Sequence, residues 1–163
     1  MDRTSEHPPW EELYRYWLGR HVDDRPPARS DIDPMIDLHH LASNLIIIDV
    51  HPEGSEYRLV GSQVVNHFGV DHTGKYVGTS NVDPKQLKAW QATVDFVARQ
   101  HKPKLLVSHY PHAEKSKTIA LLMPLTPDPD GVTKLFGATF FDWPFPDTAA
   151  YPDLIVEMVE LDI

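Results

Sequence analysis

The chain has 163 residues, of which 15 are Lys or Arg and 24 are Asp or Glu, for a net charge of −9. That is the length of one domain, and its acidity argues against nucleic acid or an anionic membrane as the main partner, since both select for clustered Lys and Arg. There is no cysteine, which excludes disulfides, thiolate nucleophiles, Cys-bearing zinc sites and any cofactor carried on a Cys sulfur.

Apolar residues make up 41% of the chain, enough for one core. No run approaches the roughly 18 consecutive apolar residues of a membrane-spanning helix. The opening MDRTSEHPPW lacks a secretory h-region, so the cytoplasm is the expected location. The 15 prolines fall in clusters and punctuate the elements.

In chain order, Trp10, Leu13, Tyr14, Trp17 and Leu18 form the stripe of an amphipathic helix. Pro9 suits its first turn and Gly19 the position past its end. Two readings of this face stay open. It packs on its own domain, or its aromatics form a dimer or partner surface. Residues 20–33 read as a charged, proline-rich surface loop, and Asp33–Pro34 as the cap and first turn of a short helix to about Leu41. Leu45-Ile46-Ile47-Ile48 is a β-branched run that predicts a buried strand. A second strand through Tyr57, Leu59 and Gly61 forms a hairpin with it. Val64, Val65 and Phe68 fit a short helix stopped by Gly69.

Asp83, Pro84 and Gln86 mark the start of the longest helix, with Leu87, Trp90, Val94 and Val97 on one face and Pro103 forcing its end. Three strands are expected over 104–112, 117–125 and 133–143. The first two are joined by a turn at Glu114-Lys115, the last two by Asp128-Pro129-Asp130-Gly131. Leu154, Ile155, Met158 and Val159 are spaced as a last helix behind Pro152.

The ten histidines show no HxH, HExxH or HxxxH pair, so no metal site is expected. His39 and His40 are adjacent and diverge; His109 and His112 fall on opposite strand faces. The segment Thr126–Gly137 fails as a calcium loop because Gly137 stands where a bidentate acid is needed. No nucleophile elbow, phosphate loop or dinucleotide fingerprint is present. No catalytic constellation emerges.

The phrases PARSDIDP (27–34), LIIIDV (45–50), YRLVGSQVVNHFGVDHTGKYVG (57–78) and LFGATFFDW (135–143), set in this order of elements, resemble the short stand-alone PAS-type proteins of alphaproteobacteria. Ser62 stands where that family has Thr, and His39-His40 where it more often has Pro and Leu. The resemblance covers about residues 10–143. It implies an α+β fold with a five-stranded antiparallel sheet of order 2-1-5-4-3, helices over one face and an added N-terminal helix. The division is then an N-terminal extension over 1–43, a PAS-like core over 44–143 and a tail, read as helical, over 144–163.

The same resemblance implies a ligand pocket between the sheet and the long helix. Its wall candidates are Phe68, Tyr76, Trp90, Val94, Leu106, Ser108 and Leu122, with Ile46 or Ile48 beside them; the alternative is that all of these fill an ordinary core. It also implies a homodimer or a signalling-protein contact through Trp10, Leu13, Tyr14 and Trp17. Covalent flavin and coumaric-acid chemistry is excluded by the missing cysteine. Haem is disfavoured because the helix from Pro84 to Gln100 holds no histidine. No cofactor is predicted, and a small organic ligand remains open.

Two classes of function compete. The favoured one is a regulatory sensor or adaptor that binds a metabolite or a protein, with too few residues after Trp143 for an output domain. The alternative is a small enzyme, or a haem- or metal-binding protein, that uses pocket histidines such as His67, His72 or His109.

Overall fold

The computed structural model describes residues 7–79, 83–111 and 117–162. Strands β1 (Leu45–His51), β2 (Gly54–Val60), β3 (Lys104–His109), β4 (Lys117–Pro124), β5 (Thr133–Phe141) and β6 (Ile155–Glu160) form one sheet. Its order is β2-β1-β5-β4-β3-β6. The first five strands pair antiparallel in the expected order. The turn from Asp128 to Gly131 also forms as expected: Gly131 N–H donates to the Asp128 carbonyl at 2.8 Å, with Gly131 at φ 84°.

β1, β3 and β4 are buried along nearly their whole length, so both faces of the sheet must be covered. On one face lie Leu45, Ile47, Leu105, Val107, Ile119, Leu121, Met123, Phe136, Ala138 and Phe140. Helix α1 (Pro9–Gly19) packs there with Trp10, Leu13, Tyr14 and Trp17, none more than 4% exposed. The Trp17 indole N–H donates to the Pro124 carbonyl at 2.9 Å, which ties the helix to the end of β4.

This corrects the partner-surface expectation for Trp10, Leu13, Tyr14 and Trp17. The four side chains are buried against the chain's own sheet. Tyr151 closes over the same helix, edge-on to Tyr14 at 5.2 Å and donating to the Glu11 carboxylate at 2.7 Å.

The other face carries α3 (Ser62–Phe68) and α4 (Pro84–Gln100). Gly69 stops α3 at φ 77°. The Asp83 carboxylate caps α4 by accepting from the Lys85 and Gln86 backbone N–H groups, which satisfies two of its free donors.

Two segments depart from expectation. The helix expected from Asp33 to Leu41 breaks into α2 (Pro34–Asp37) and a 3-10 stretch, His39–Asn44, and the Asp33 side chain makes no cap bond. The C-terminal helix is instead β6, parallel to β3 with Leu106 opposite Glu157 and Val107 opposite Met158. The open edge of β3 offers a ladder of hydrogen bonds, and the β-branched Ile155, Val156 and Val159 suit it. Val159 and Leu161 alternate inward, and the Lys104 ammonium clamps the strand by donating to Glu157 at 2.6 Å. The turn expected at Glu114-Lys115 lies outside the described residues.

Candidate functional site

Between α4 and the sheet lies a cavity of about 70 Å³. Alternation of side chains along β3, β4 and β5 aims Leu106 and Ser108, Thr118 and Ala120, and Thr139 at it. Ser108 lies opposite Thr118, and Thr139 opposite Ala120, so three hydroxyl residues stand on three adjacent strands at one end of the cavity floor. Ile46 continues the floor onto β1, while Val64, Phe68, Gln86, Leu87 and Trp90 roof it.

A β-bulge completes the wall. Ile47 pairs with Leu59 but Ile48 pairs with Tyr57, which leaves Arg58 as the extra residue of β2. The bulge turns both Tyr57 and Val60 toward the cavity, although their numbering alone would put them on opposite faces.

The Tyr57 hydroxyl accepts a 2.7 Å hydrogen bond from the Trp90 indole N–H. Burial pushes its pKa up to about 12, so the phenol stays protonated with a donor still to give. His72 stands near it, ring centroids 6.0 Å apart. Burial, and then the Lys75 charge, lower the His72 pKa against an opposing pull from Asp71, which favours the neutral imidazole. The segment after His72 runs along the outer edge of β2, where Val77 N–H donates to the Ser55 carbonyl and Tyr57 N–H to the Lys75 carbonyl.

Of the expected wall residues, Phe68, Trp90, Leu106 and Ser108 line the cavity. Val94 and Leu122 are fully packed in the adjoining core with Ile48 and Leu135. Tyr76 lies outside at 43% exposure, held on the sheet edge by its bridge to Glu56 and against Gly54. Tyr57, Val60, Thr118 and Thr139 were not expected there. Thr118 and Thr139 had a visible signal, a hydroxyl on the same strand face as apolar neighbours. Tyr57 and Val60 had none, because the bulge is not written in the alternation.

The three candidate histidines separate. His72 borders the cavity, His67 stacks on Phe141 with centroids 3.9 Å apart, and His109 meets Phe145 edge-on. Among the described residues, no carboxylate or hydroxyl hydrogen-bonds any of them in the manner of a catalytic pair.

A second cluster, Asp49, His51 and Glu56, brings three potential metal-ligand atoms within 4.8 Å of one another. The Lys134 ammonium lies 2.7 Å from Asp49 and the Arg58 guanidinium 3.4 Å from both Asp49 and Glu56. Two cations already neutralise these acids, so the group reads as an ion-pair network. No helix among the described residues is long and apolar enough to cross a membrane.

The chain has no cysteine, so a flavin adduct on a Cys sulfur cannot form here.

No curated protein matches the chain in sequence. Solved structures of similar shape include a fungal LOV domain photoreceptor, at 18% identity and TM-score 0.45 over 69% of this chain and 94% of that one. The PAS domain of Bordetella pertussis BvgS aligns at 15% identity and TM-score 0.48 over 72% and 91%. A light–oxygen–voltage domain studied with a flavin analogue aligns at 16% and 0.44 over 68% and 85%. In sequence, residues 5–140 match the PAS domain family, and the chain belongs to it.

Proposed function

We propose that the protein is a sensor or adaptor module that responds to a small molecule held between α4 and the sheet. The observation that carries this reading is the cavity, walled by apolar side chains and floored by the hydroxyls of Ser108, Thr118 and Thr139. Convergent polar groups in an apolar recess are the usual form of a ligand site. The Trp90–Tyr57 hydrogen bond supplies the coupling, since an occupant that engages the Tyr57 hydroxyl also bears on the position of α4. The output is then contact with a signalling protein or a second copy, through a surface other than the covered face of α1.

A fragment screen followed by ¹H–¹⁵N correlation spectra tests this reading. Binding compounds are expected to shift the Trp90 indole resonance together with the amides of Ser108, Thr118 and Thr139. Shifts confined to other surfaces overturn it.

A further inference from the structure

We infer that the cavity takes an uncharged group of about four non-hydrogen atoms, a short amide, ketone or alcohol, alone or as the end of a longer ligand, whose polar atoms meet Ser108 and Thr139. This inference rests on the reading of the cavity as a ligand site and names the chemical class it takes.

The first ground is the state of the two hydroxyls. Ser108 and Thr139 are only 2% and 4% exposed, and both line the cavity. Within the described residues neither side-chain hydroxyl has a hydrogen-bond partner, although no polar side-chain atom sealed from all space is left unpaired. Both hydroxyls therefore face open cavity. A hydroxyl that faces accessible space in an apolar recess is free to donate to and accept from an occupant.

The second ground is charge. Among the described residues, the lining holds Tyr57, His72, Gln86, Ser108, Thr118 and Thr139 as its polar members, with no Lys, Arg, Asp or Glu. Hydroxyls and an amide both donate and accept, so they satisfy a neutral dipole in either sense. An ion desolvated here finds no countercharge, and burying an unpaired charge is far costlier than burying a dipole. The third ground is size. The cavity measures about 70 Å³, and about 150 Å³ accommodates the six carbons of benzene.

The test titrates acetamide, acetone and propan-2-ol against acetate, which has as many non-hydrogen atoms as each of them but carries a charge. The full chain is observed by ¹H–¹⁵N spectra, with xenon as a probe of the cavity itself. Saturable shifts at Ser108 and Thr139 are expected from at least one neutral probe, with acetate at least tenfold weaker. Thr139→Val and Ser108→Ala are each expected to weaken that probe about three- to tenfold, the loss of one hydrogen bond. The free variants should melt no lower than the parent chain.

Acetate binding as tightly as its neutral counterparts overturns the inference and leaves the cavity standing as a ligand site. The same holds for xenon uptake with no neutral probe bound. A Thr139→Val chain that melts well below the parent also overturns it, by making the hydroxyl structural. Failure of xenon and every probe to shift the cavity overturns both this inference and the function on which it rests.

Discussion

The Trp90 indole N–H donates to the Tyr57 hydroxyl at 2.7 Å, joining the middle of α4 to the bulged strand β2. Tyr57→Phe removes the acceptor and leaves a half-buried indole N–H unpaired. A loss of about 1–3 kcal/mol is expected, read as a lower urea midpoint at unchanged m-value.

The same phenol makes stability fall in alkali. Its folded pKa, about 12, is above the ordinary value near 10, so the unfolded chain loses this proton first. The contribution is complete below pH 10 and disappears as pH rises from about 10 to 12. It amounts to roughly 2–3 kcal/mol for a shift of two units. Tyr14, Tyr16 and Tyr151 are also raised, chiefly by burial, so the parent curve is a composite. Subtracting the Tyr57→Phe curve isolates this residue, and a difference that stays flat across that window would discard the assignment.

Leu13 faces the sheet from α1 and is fully buried. Leu13→Ala is expected to cost about 2–5 kcal/mol, with no change in the mass of the native species by light scattering. A stable variant whose mass halves would restore α1 as a contact between copies.

Leu161 follows β6 and is 3% exposed, packed with Leu106, Ala120 and Val159. Leu161→Ala should lower stability by about 2–4 kcal/mol. A loosely attached tail would lose less than about 0.5 kcal/mol, and chemical denaturation separates the two.

Gly137 sits mid-sheet on β5 opposite Ile46 and Leu122. A methyl there would meet the Leu121 carbonyl oxygen at 1.9 Å, a collision with backbone that no rotamer relieves. Gly137→Ala is expected to cost about 3 kcal/mol or to abolish soluble expression. A variant that melts like the parent would show that the strands can part without cost.

Local pattern made much of this protein legible. The strand runs, the caps at Asp83 and Gly69 and the turn at Asp128–Gly131 are written over a few consecutive residues, where propensity and period act directly. The continuous run Leu45–Ile48 also held more than a strand. A strand apolar at every position needs cover on both faces, which assigns the stripe of Trp10, Leu13, Tyr14 and Trp17 to the chain's own core. The helical spacing of Leu154, Ile155, Met158 and Val159 misled because the free edge of β3, a distant partner, outweighed local periodicity.

The sequence by itself determined the first five strands and the helices α1, α3 and α4, the lack of any cysteine to carry a cofactor and, through its phrases, the likeness to the PAS family. Only the tertiary structure decided which face α1 covers, that residues 155–160 form a sixth strand, and that Tyr57 and Val60 share a wall with Ser108 and Thr139. Each of these turns on strand register, a bulge at Arg58 or packing between residues far apart in the chain. Such relations arise from contacts with high sequence separation, which no local window contains.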